Sequence, residues 1–130
     1  MSAKVTVADL FGVAGLSPCD PVCWGEPCTE RRPGVYVVVI DQTIVYIGRT
    51  KRPLSRRINE FYRHRYGDKR PHRGGQEVLN IPGVRFLYWC PSDDPRAAEA
   101  KMLRAFEDRY GRLPSANRRR GDRAPTTVSN

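Results

Sequence analysis

The sequence predicts a small α+β domain in which helices flank one sheet. Three short runs of β-branched and aromatic residues, at 35–40, 43–47 and 84–90, are typical of strands. Two stretches with apolar residues at helical spacing, 53–66 and 95–110, predict amphipathic helices. Because two hairpin-linked strands come first and a helix precedes the third strand, the order indicates an α+β arrangement.

The 130 residues allow one compact domain with short flanking segments. Residues 1–32 form a predicted lead-in, in which residues 7–16 can make a short helix before an irregular stretch rich in proline and glycine. The domain itself is predicted at residues 33–118. Residues 119–130 form a predicted basic and polar tail.

The first two strand segments predict a hairpin over residues 34–48. Both are apolar on each face, which favours a sheet that is covered on both sides. The register decides where two tyrosines lie, because a two-residue loop at Asp41 and Gln42 would place Tyr36 and Tyr46 on opposite faces. A three-residue loop or a β-bulge would place both on one face. The sequence leaves these registers open.

Residues 53–66 predict the next helix, with Pro53 in its first turn and Gly67 as its stop. A basic loop follows, and residues 76–81 predict a short helix before the third strand at 84–90. The apolar stripe of the 53–66 helix consists of Leu54, Ile58, Phe61 and Tyr62.

Two adjacent arginines on this helix face in different directions. With about 100° per residue, Arg57 borders the apolar stripe and Arg56 lies nearly opposite it. Arg57 can therefore reach a pocket beside the sheet, whereas Arg56 is expected to face water. His64 falls on the same flank as Arg57, two turns further along.

The last helix opens with Asp94 as cap and Pro95 at its first position. Glu99 lies, by the same helical arithmetic, in the middle of the apolar stripe, where a charge must be paired, protonated or bound to a metal. Two alternatives to a metal stay open: an ion pair with an arginine, and a position at the rim of the core near the positive end of the helix dipole. The apolar stripe consists of Met102, Leu103, Phe106 and Tyr110.

Charge is the unusual feature of the composition. The chain has 23 basic and 14 acidic side chains and a net charge of +9, which favours a polyanionic partner such as nucleic acid or an anionic membrane surface. One stretch, residues 49–73, has ten basic and two acidic residues with aromatics between them, as expected for contact with a phosphate backbone. Besides Arg57, its basic residues are Arg49, Lys51, Arg52, Arg56, Arg63, Arg65, Lys69, Arg70 and Arg73.

Membrane insertion and secretion are not expected. The chain has no apolar run near the roughly 18 residues that a transmembrane helix needs, and its N-terminus is a poor signal peptide, so we expect a cytoplasmic protein. Reduced thiols fit that compartment. The spacing of Cys19, Cys23 and Cys28 does not match Cys-x2-Cys pairs, although a zinc site completed by Cys90 or a histidine stays an alternative.

The triplets Gly34-Val35-Tyr36 and Tyr46-Ile47-Gly48, separated by nine residues, resemble the signature of the GIY-YIG endonuclease family. The resemblance continues with an arginine on the next helix, a glutamate early in the later helix and an asparagine at the end of the domain. It covers about residues 33–118, and the ordered set is far more specific than either triplet. In this sequence the three further residues are Arg57, Glu99 and Asn117.

The resemblance implies a three-stranded antiparallel sheet flanked by helices, and hydrolysis of DNA phosphodiester bonds that leaves 3′-hydroxyl and 5′-phosphate ends. It implies one divalent cation, Mg²⁺ or Mn²⁺, on Glu99. A tyrosine hydroxyl, Tyr36 by preference with Tyr46 beside it, would help to deprotonate the attacking water. Arg57 would stabilise charge on the phosphate, and Asn117 would hold the site together by hydrogen bonds.

The resemblance also implies roles for two glycines. Gly34 and Gly48 would let the backbone pass close to substrate or turn sharply. The basic stretch would contact DNA. Restriction or defence, or DNA processing, are the roles that such a nuclease would serve, and RNA is an alternative substrate.

The sequence departs from the family pattern on the 53–66 helix. Many relatives have a histidine or tyrosine where this chain has Phe61, which cannot exchange protons, so either Tyr62 or His64 takes that role or the role is absent. One extra residue precedes Arg57, which leaves Arg56 as its rival. Two other functions remain alternatives to the nuclease. One is a nucleic-acid-binding module without catalysis, and the other is a zinc-stabilised interaction domain that uses the cysteines.

Overall fold

The computed structural model describes residues 5–63 and 78–117, without the side chain of Arg63. The short helix predicted at residues 76–81 is described from residue 78, and residues 78–79 are helical. In chain order the elements are α1 (Val7–Val13), β1 (Val22–Cys23), β2 (Gly34–Ile40), β3 (Thr43–Thr50), α2 (Leu54–Arg63), β4 (Arg85–Pro91) and α3 (Pro95–Tyr110).

The predicted α+β class is confirmed, and the number of strands is corrected. The described sheet is antiparallel with four strands in the order β1-β4-β2-β3, whereas three were expected. The added strand, β1, pairs Val22 with Leu87 at the edge far from β3. Because β1 is only two residues long and follows Pro21, its sequence has no alternating pattern that could predict a strand.

The hairpin between β2 and β3 combines a two-residue turn with a bulge. Asp41 and Gln42 have φ angles of 48° and 67°, as in the tight turns that match the strand twist. The pairing then shifts between Val38 and Val39, so that β3 contains one extra residue and Tyr46 pairs with Val38. The bulge therefore places Tyr36 and Tyr46 on the same face of the sheet, one of the arrangements that the sequence left open.

Each face of the sheet carries its own core, as the apolar strands predicted. On one face, Leu54, Ile58 and Phe61 of α2 pack against alternate residues of β2. On the other face, α1 and α3 cover Val35, Val37 and Val39 with Ile47 of β3. The side chains of β2 point alternately to the two faces, so this strand separates the two cores. All seven of its residues are buried.

The caps of α3 follow the sequence prediction. The side chain of Asp94 accepts a hydrogen bond from the Ala97 N–H, Pro95 occupies the first turn, and Gly111 ends the helix with a left-handed φ of 73°. These caps define where Glu99 lies, because they fix the start of the helix on which it sits.

Residues from the predicted lead-in belong to the same packing. Leu10 and Phe11 of α1 are completely buried against α3 and β2. The carbonyl oxygen of Arg32 accepts a hydrogen bond from the first N–H of α2, that of Leu54, at 3.0 Å. The structure thus includes residues before 33 in the core, while the predicted boundaries at 33 and 118 stay predictions.

Truncation of Phe11 tests whether α1 is part of the cooperative fold. We expect Phe11→Ala to lower the free energy of unfolding by about 3–5 kcal/mol, because it opens a cavity in a fully buried cluster. Val13→Ala on the same helix, where the side chain is 49 % exposed, is expected to change it by less than about 0.5 kcal/mol. Urea denaturation followed by circular dichroism measures both. Equal stability of Phe11→Ala and wild type would mean that α1 docks without stabilising the sheet.

Candidate active site

A cleft of about 420 Å³ lies at the open edge of the sheet, beside β3. As the edge strand of the described sheet, β3 can be reached by side chains from both faces. α2 contributes Arg57 from one face and α3 contributes Glu99 from the other. The described residues that line the cleft are Tyr46, Arg49, Thr50, Lys51, Arg52, Arg57 and Glu99.

Glu99 forms an ion pair with Arg49 in this cleft. Arg49 Nη1 lies 2.6 Å from Glu99 Oε1, and the side chains are 40 % and 15 % exposed. The pairing follows from strand alternation, since Arg49 and Ile47 share the face of β3 that α3 covers. The structure shows an arginine partner, one of the alternatives that the sequence left open for Glu99.

The position of Glu99 on the helix differs from the prediction. The buried residues of α3 are Ala98, Met102 and Phe106, whereas Tyr110 at its end is 37 % exposed. Their centre is about 60° away from Glu99 around the helix axis. Glu99 therefore borders the buried stripe instead of occupying its middle, because the helix rolls towards Ala98, whose small side chain permits close contact with the sheet.

Burial raises the pKa of Glu99, and the neighbouring guanidinium groups of Arg49 and then Arg57 oppose that rise. Desolvation of the carboxylate is thus the larger influence. The carboxylate is kept in a site where its charge is only partly compensated, as is common for groups with a functional role.

Arg57 reaches the cleft and Arg56 does not. Arg57 Nη1 donates one hydrogen bond to the hydroxyl oxygen of Tyr36 and another to the carbonyl oxygen of Arg49, each 3.2 Å long. Arg56 is exposed on the outer side of α2. The structure places the two arginines as helical geometry predicts, although the catalytic role of Arg57 stays a prediction.

The two tyrosines lie one behind the other. Tyr46 lines the cleft, whereas Tyr36 is completely buried beneath it. Their ring centroids are 6.0 Å apart, and the two hydroxyl groups are hydrogen-bonded to each other. For direct contact with a substrate or water, the geometry favours Tyr46, whereas the family resemblance implied Tyr36 by preference.

Burial is the largest influence on the pKa of both tyrosine hydroxyls, and it raises both values. It raises the pKa of Tyr36, and the charge and hydrogen bond of Arg57 only partly offset this effect. The pKa of Tyr46 is raised well above its ordinary value, again mainly by burial. Both side chains are therefore neutral near pH 7, and Tyr46, which lines the cleft, can orient a water molecule more readily than it can remove a proton.

Gly48 is required by the packing of these rings. A Cβ atom at Gly48 would lie 2.5 Å from Cζ of Tyr36 and 2.7 Å from Cε2 of Tyr46. At Gly34, a Cβ atom would collide with the carbonyl oxygen of Cys90 on the neighbouring strand. Both glycines lie within strands, so their role is close packing and not the sharp turn that the sequence also allowed.

Asn117 fastens the end of the described chain to β3. Its side-chain amide donates to the Ile47 carbonyl oxygen at 2.8 Å and its side-chain oxygen accepts from the Ile47 N–H at 2.9 Å. The Ala116 N–H donates to the carbonyl oxygen of Val45, the extra residue of the bulge. Asn117 thus supports the strand that carries the cleft, in keeping with a positioning role.

Positive charge dominates the cleft. Its lining in the described chain has four basic side chains and one carboxylate. Lys51 and Arg52 are exposed, and Arg52 Nη2 lies 2.6 Å from Glu60 Oε1. The arrangement suits phosphate, since guanidinium groups donate paired N–H groups to its oxygens.

Several predicted residues lie elsewhere. Phe61 is buried and packs edge-on against Tyr36, with ring centroids 5.7 Å apart. Tyr62 does not line the cleft: its hydroxyl is buried without a well-formed hydrogen bond to the described residues, and burial raises its pKa to about 12. Tyr62 is therefore not placed to replace Phe61. The predicted residues outside the described part, or described without a side chain, are Arg63, His64, Arg65, Lys69, Arg70 and Arg73.

A metal ion at this site would have few protein ligands. Among the described residues, no group of three or more His, Cys, Asp or Glu side chains could hold one, and all four cysteines are unpaired thiols. Glu99 would be its ligand in the cleft, with water and phosphate oxygens completing the shell. Mg²⁺ and Mn²⁺ prefer such oxygen donors, and Mg²⁺ is often held by one or two carboxylates together with phosphate.

The sequence indicated Arg49 as a DNA contact, and the structure adds its ion pair with Glu99. The spacing shows that Arg49 shares the face of Ile47, two residues before it, but which helix covers that face depends on the bulge in β3. Thr50, which is buried at the end of β3, was missed as a residue of the cleft. Its hydroxyl accepts a hydrogen bond from the Arg52 N–H at 3.0 Å and so shapes the turn into α2.

In comparisons with known proteins, no family model, no curated protein and no solved structure matches this chain. Within the described residues, none of the helices has the length and apolar character needed to cross a bilayer. The assignment of a function therefore depends on the site itself.

Replacement of Glu99 by glutamine tests whether its burial lowers stability. A carboxyl group whose folded-state pKa lies above the ordinary 4.5 loses stability when it ionises, as the pH rises from about 4.5 through the folded pKa. We expect Glu99→Gln to have a higher free energy of unfolding than the wild type at neutral pH, with the difference vanishing in acid. Denaturant titrations over this pH range measure it.

Glu60→Gln is the matched control, because Glu60 is also paired with an arginine at 2.6 Å but its side chain is 30 % exposed. It should give no gain in stability at neutral pH. If Glu99→Gln proves less stable than the wild type at neutral pH, the ion pair with Arg49 outweighs burial.

Proposed function

We propose that this chain is a divalent-metal-dependent endonuclease of the GIY-YIG type that hydrolyses phosphodiester bonds in DNA. One observation carries the proposal: Tyr46, Arg57 and Glu99, from three separate elements, line a single basic cleft. Their ordered resemblance to the family signature is consistent with this convergence. Strand β1 does not weaken it, because β1 is separated from β3 by two strands.

Glu99 would hold the cation, together with oxygens of the substrate phosphate. A bound Mg²⁺ or Mn²⁺ would supply positive charge at the scissile phosphate and a more acidic water. The chain's own contribution begins with burial, since a carboxylate with little access to water interacts more strongly with a nearby charge.

Arg57 would bind the phosphate and stabilise the charge that builds on it. Its two described hydrogen bonds both come from Nη1 and fix the orientation of the guanidinium. A guanidinium has five N–H groups, so others can donate to phosphate oxygens. Because the group is already held in place, little reorganisation is needed during the reaction.

The tyrosine pair would position the attacking water. Tyr46 lines the cleft, and its hydroxyl is hydrogen-bonded to the hydroxyl of Tyr36. The Tyr36 hydroxyl in turn accepts a hydrogen bond from Arg57. Since burial keeps both phenols neutral, we assign them orientation of the water by hydrogen bonding, without proton removal by a phenolate in the free protein.

A nucleic-acid-binding module without catalysis is the second candidate. The observation that favours it is the occupation of the Glu99 carboxylate by Arg49 at 2.6 Å. In such a module the four basic side chains of the cleft would bind phosphate, and Glu99 would serve only to orient Arg49.

Cleavage of DNA decides between these candidates. We expect the wild-type chain to cut plasmid and short branched DNA with Mg²⁺ or Mn²⁺, and EDTA to stop the reaction. Glu99→Ala should reduce cleavage to background while circular dichroism shows a folded protein. Glu60→Ala, which removes a carboxylate from the other arginine pair, should retain activity. A matched RNA substrate tests the alternative substrate class.

Two results would contradict the nuclease proposal. If Glu99→Ala cleaves DNA as fast as the wild type, Glu99 is not the ligand of a catalytic cation. If no substrate is cut with either cation while the wild type binds DNA in a gel-shift assay, the binding module is the correct function.

Adjacent arginines provide a second test. Arg57→Ala should lower the cleavage rate by about 10²–10³-fold, because it removes a fixed donor from the phosphate. Arg56→Ala removes the same charge one residue away, on the exposed side of α2, and should cut at nearly the wild-type rate. Single-turnover kinetics with saturating protein separate this effect from weaker binding. Equal losses in both variants would indicate a general electrostatic effect and not a catalytic arginine.

A further inference from the structure

Arg49 occupies the carboxylate on which the proposed cation depends. Arg49 Nη1 lies 2.6 Å from Glu99 Oε1. A cation bound to Glu99 would be close to the Arg49 guanidinium, and like charges at such a distance repel each other. The ion pair and a bound cation are therefore competing partners of the same carboxylate.

The two side chains of the ion pair differ in their exposure to solvent. The Glu99 side chain is 15 % exposed, whereas that of Arg49 is 40 % exposed and lines the basic cleft. Arg49 can thus turn towards a phosphate in the cleft, while Glu99 remains where the helix holds it. A phosphate provides bidentate acceptors for a guanidinium and so compensates for the lost ion pair.

From this geometry, and resting on the proposed nuclease function, we infer that Arg49 is a positioning residue that couples cation binding to nucleic-acid binding. In the free protein Arg49 holds Glu99 and weakens cation binding. When a phosphate of the nucleic acid binds Arg49, Glu99 becomes available to the cation. Linkage requires that the cation strengthen nucleic-acid binding by the same factor.

The test is Mn²⁺ binding by the free, full-length protein, followed by the electron paramagnetic resonance signal of unbound Mn²⁺. At about pH 8, well above the usual carboxyl range, Arg49→Ala should bind Mn²⁺ about tenfold more tightly than the wild type, because a positive charge that competes for the Glu99 carboxylate is removed. Arg49→Met keeps the apolar stem of the side chain and provides a second variant if Arg49→Ala does not fold.

Two matched variants separate this effect from general electrostatics. Lys51→Ala removes the same charge from the same cleft and leaves both ion pairs, Arg49 with Glu99 and Arg52 with Glu60, in place. Its gain in Mn²⁺ affinity should be clearly smaller. The double variant Arg49→Ala with Glu99→Gln should lose the gain altogether. The inference is overturned if Arg49→Ala and Lys51→Ala bind Mn²⁺ equally well, or if the gain survives without the Glu99 carboxylate.

The outcome is independent of the cleavage assay. Glu99-dependent cleavage with unchanged Mn²⁺ affinity in Arg49→Ala would leave the nuclease proposal in place and overturn this inference. Tighter Mn²⁺ binding by Arg49→Ala in a protein that cuts no substrate would support competition for Glu99 and contradict the nuclease proposal.

Discussion

The extra residue in β3 changes the face on which every later residue of that strand lies. With the two-residue turn at Asp41 and Gln42 and no bulge, Tyr46 would face α3, and Arg49 would face α2. The bulge reverses both directions, so that Tyr46 joins Tyr36 and Arg49 meets Glu99. The contacts of the cleft thus depend on one irregularity in backbone pairing.

Contacts from distant parts of the chain stabilise this bulge. The carbonyl oxygen of Val45 accepts the Ala116 N–H, and the side chain of Asn117 bonds to both backbone polar groups of Ile47. These bonds satisfy groups on the outer edge of β3 that would otherwise face solvent. The end of the domain therefore fixes the geometry of the hairpin near its beginning, although neither Ala116 nor Asn117 lines the cleft.

Local chemistry in the sequence predicted the elements, the caps of α3 and the direction of Arg57, because these depend on periodicity and on residues near in the chain. The bulge, strand β1 and the partner of Glu99 could not be predicted in the same way. Each depends on contacts between residues about 50 or more positions apart, such as Arg49 with Glu99 or Val22 with Leu87. The roll of α3 was missed because small Ala98 carries little weight in an apolar pattern.

The same physics connects stability with the proposed chemistry. A leucine at the border of the α3 stripe would pack without a desolvation penalty, whereas Glu99 has a raised pKa and needs a positive neighbour. Arg49 fills that need in the free protein, and its 40 % exposure keeps the interaction open to exchange. The partial exposure of Arg49 is thus the property that lets one carboxylate serve both the folded protein and the proposed reaction.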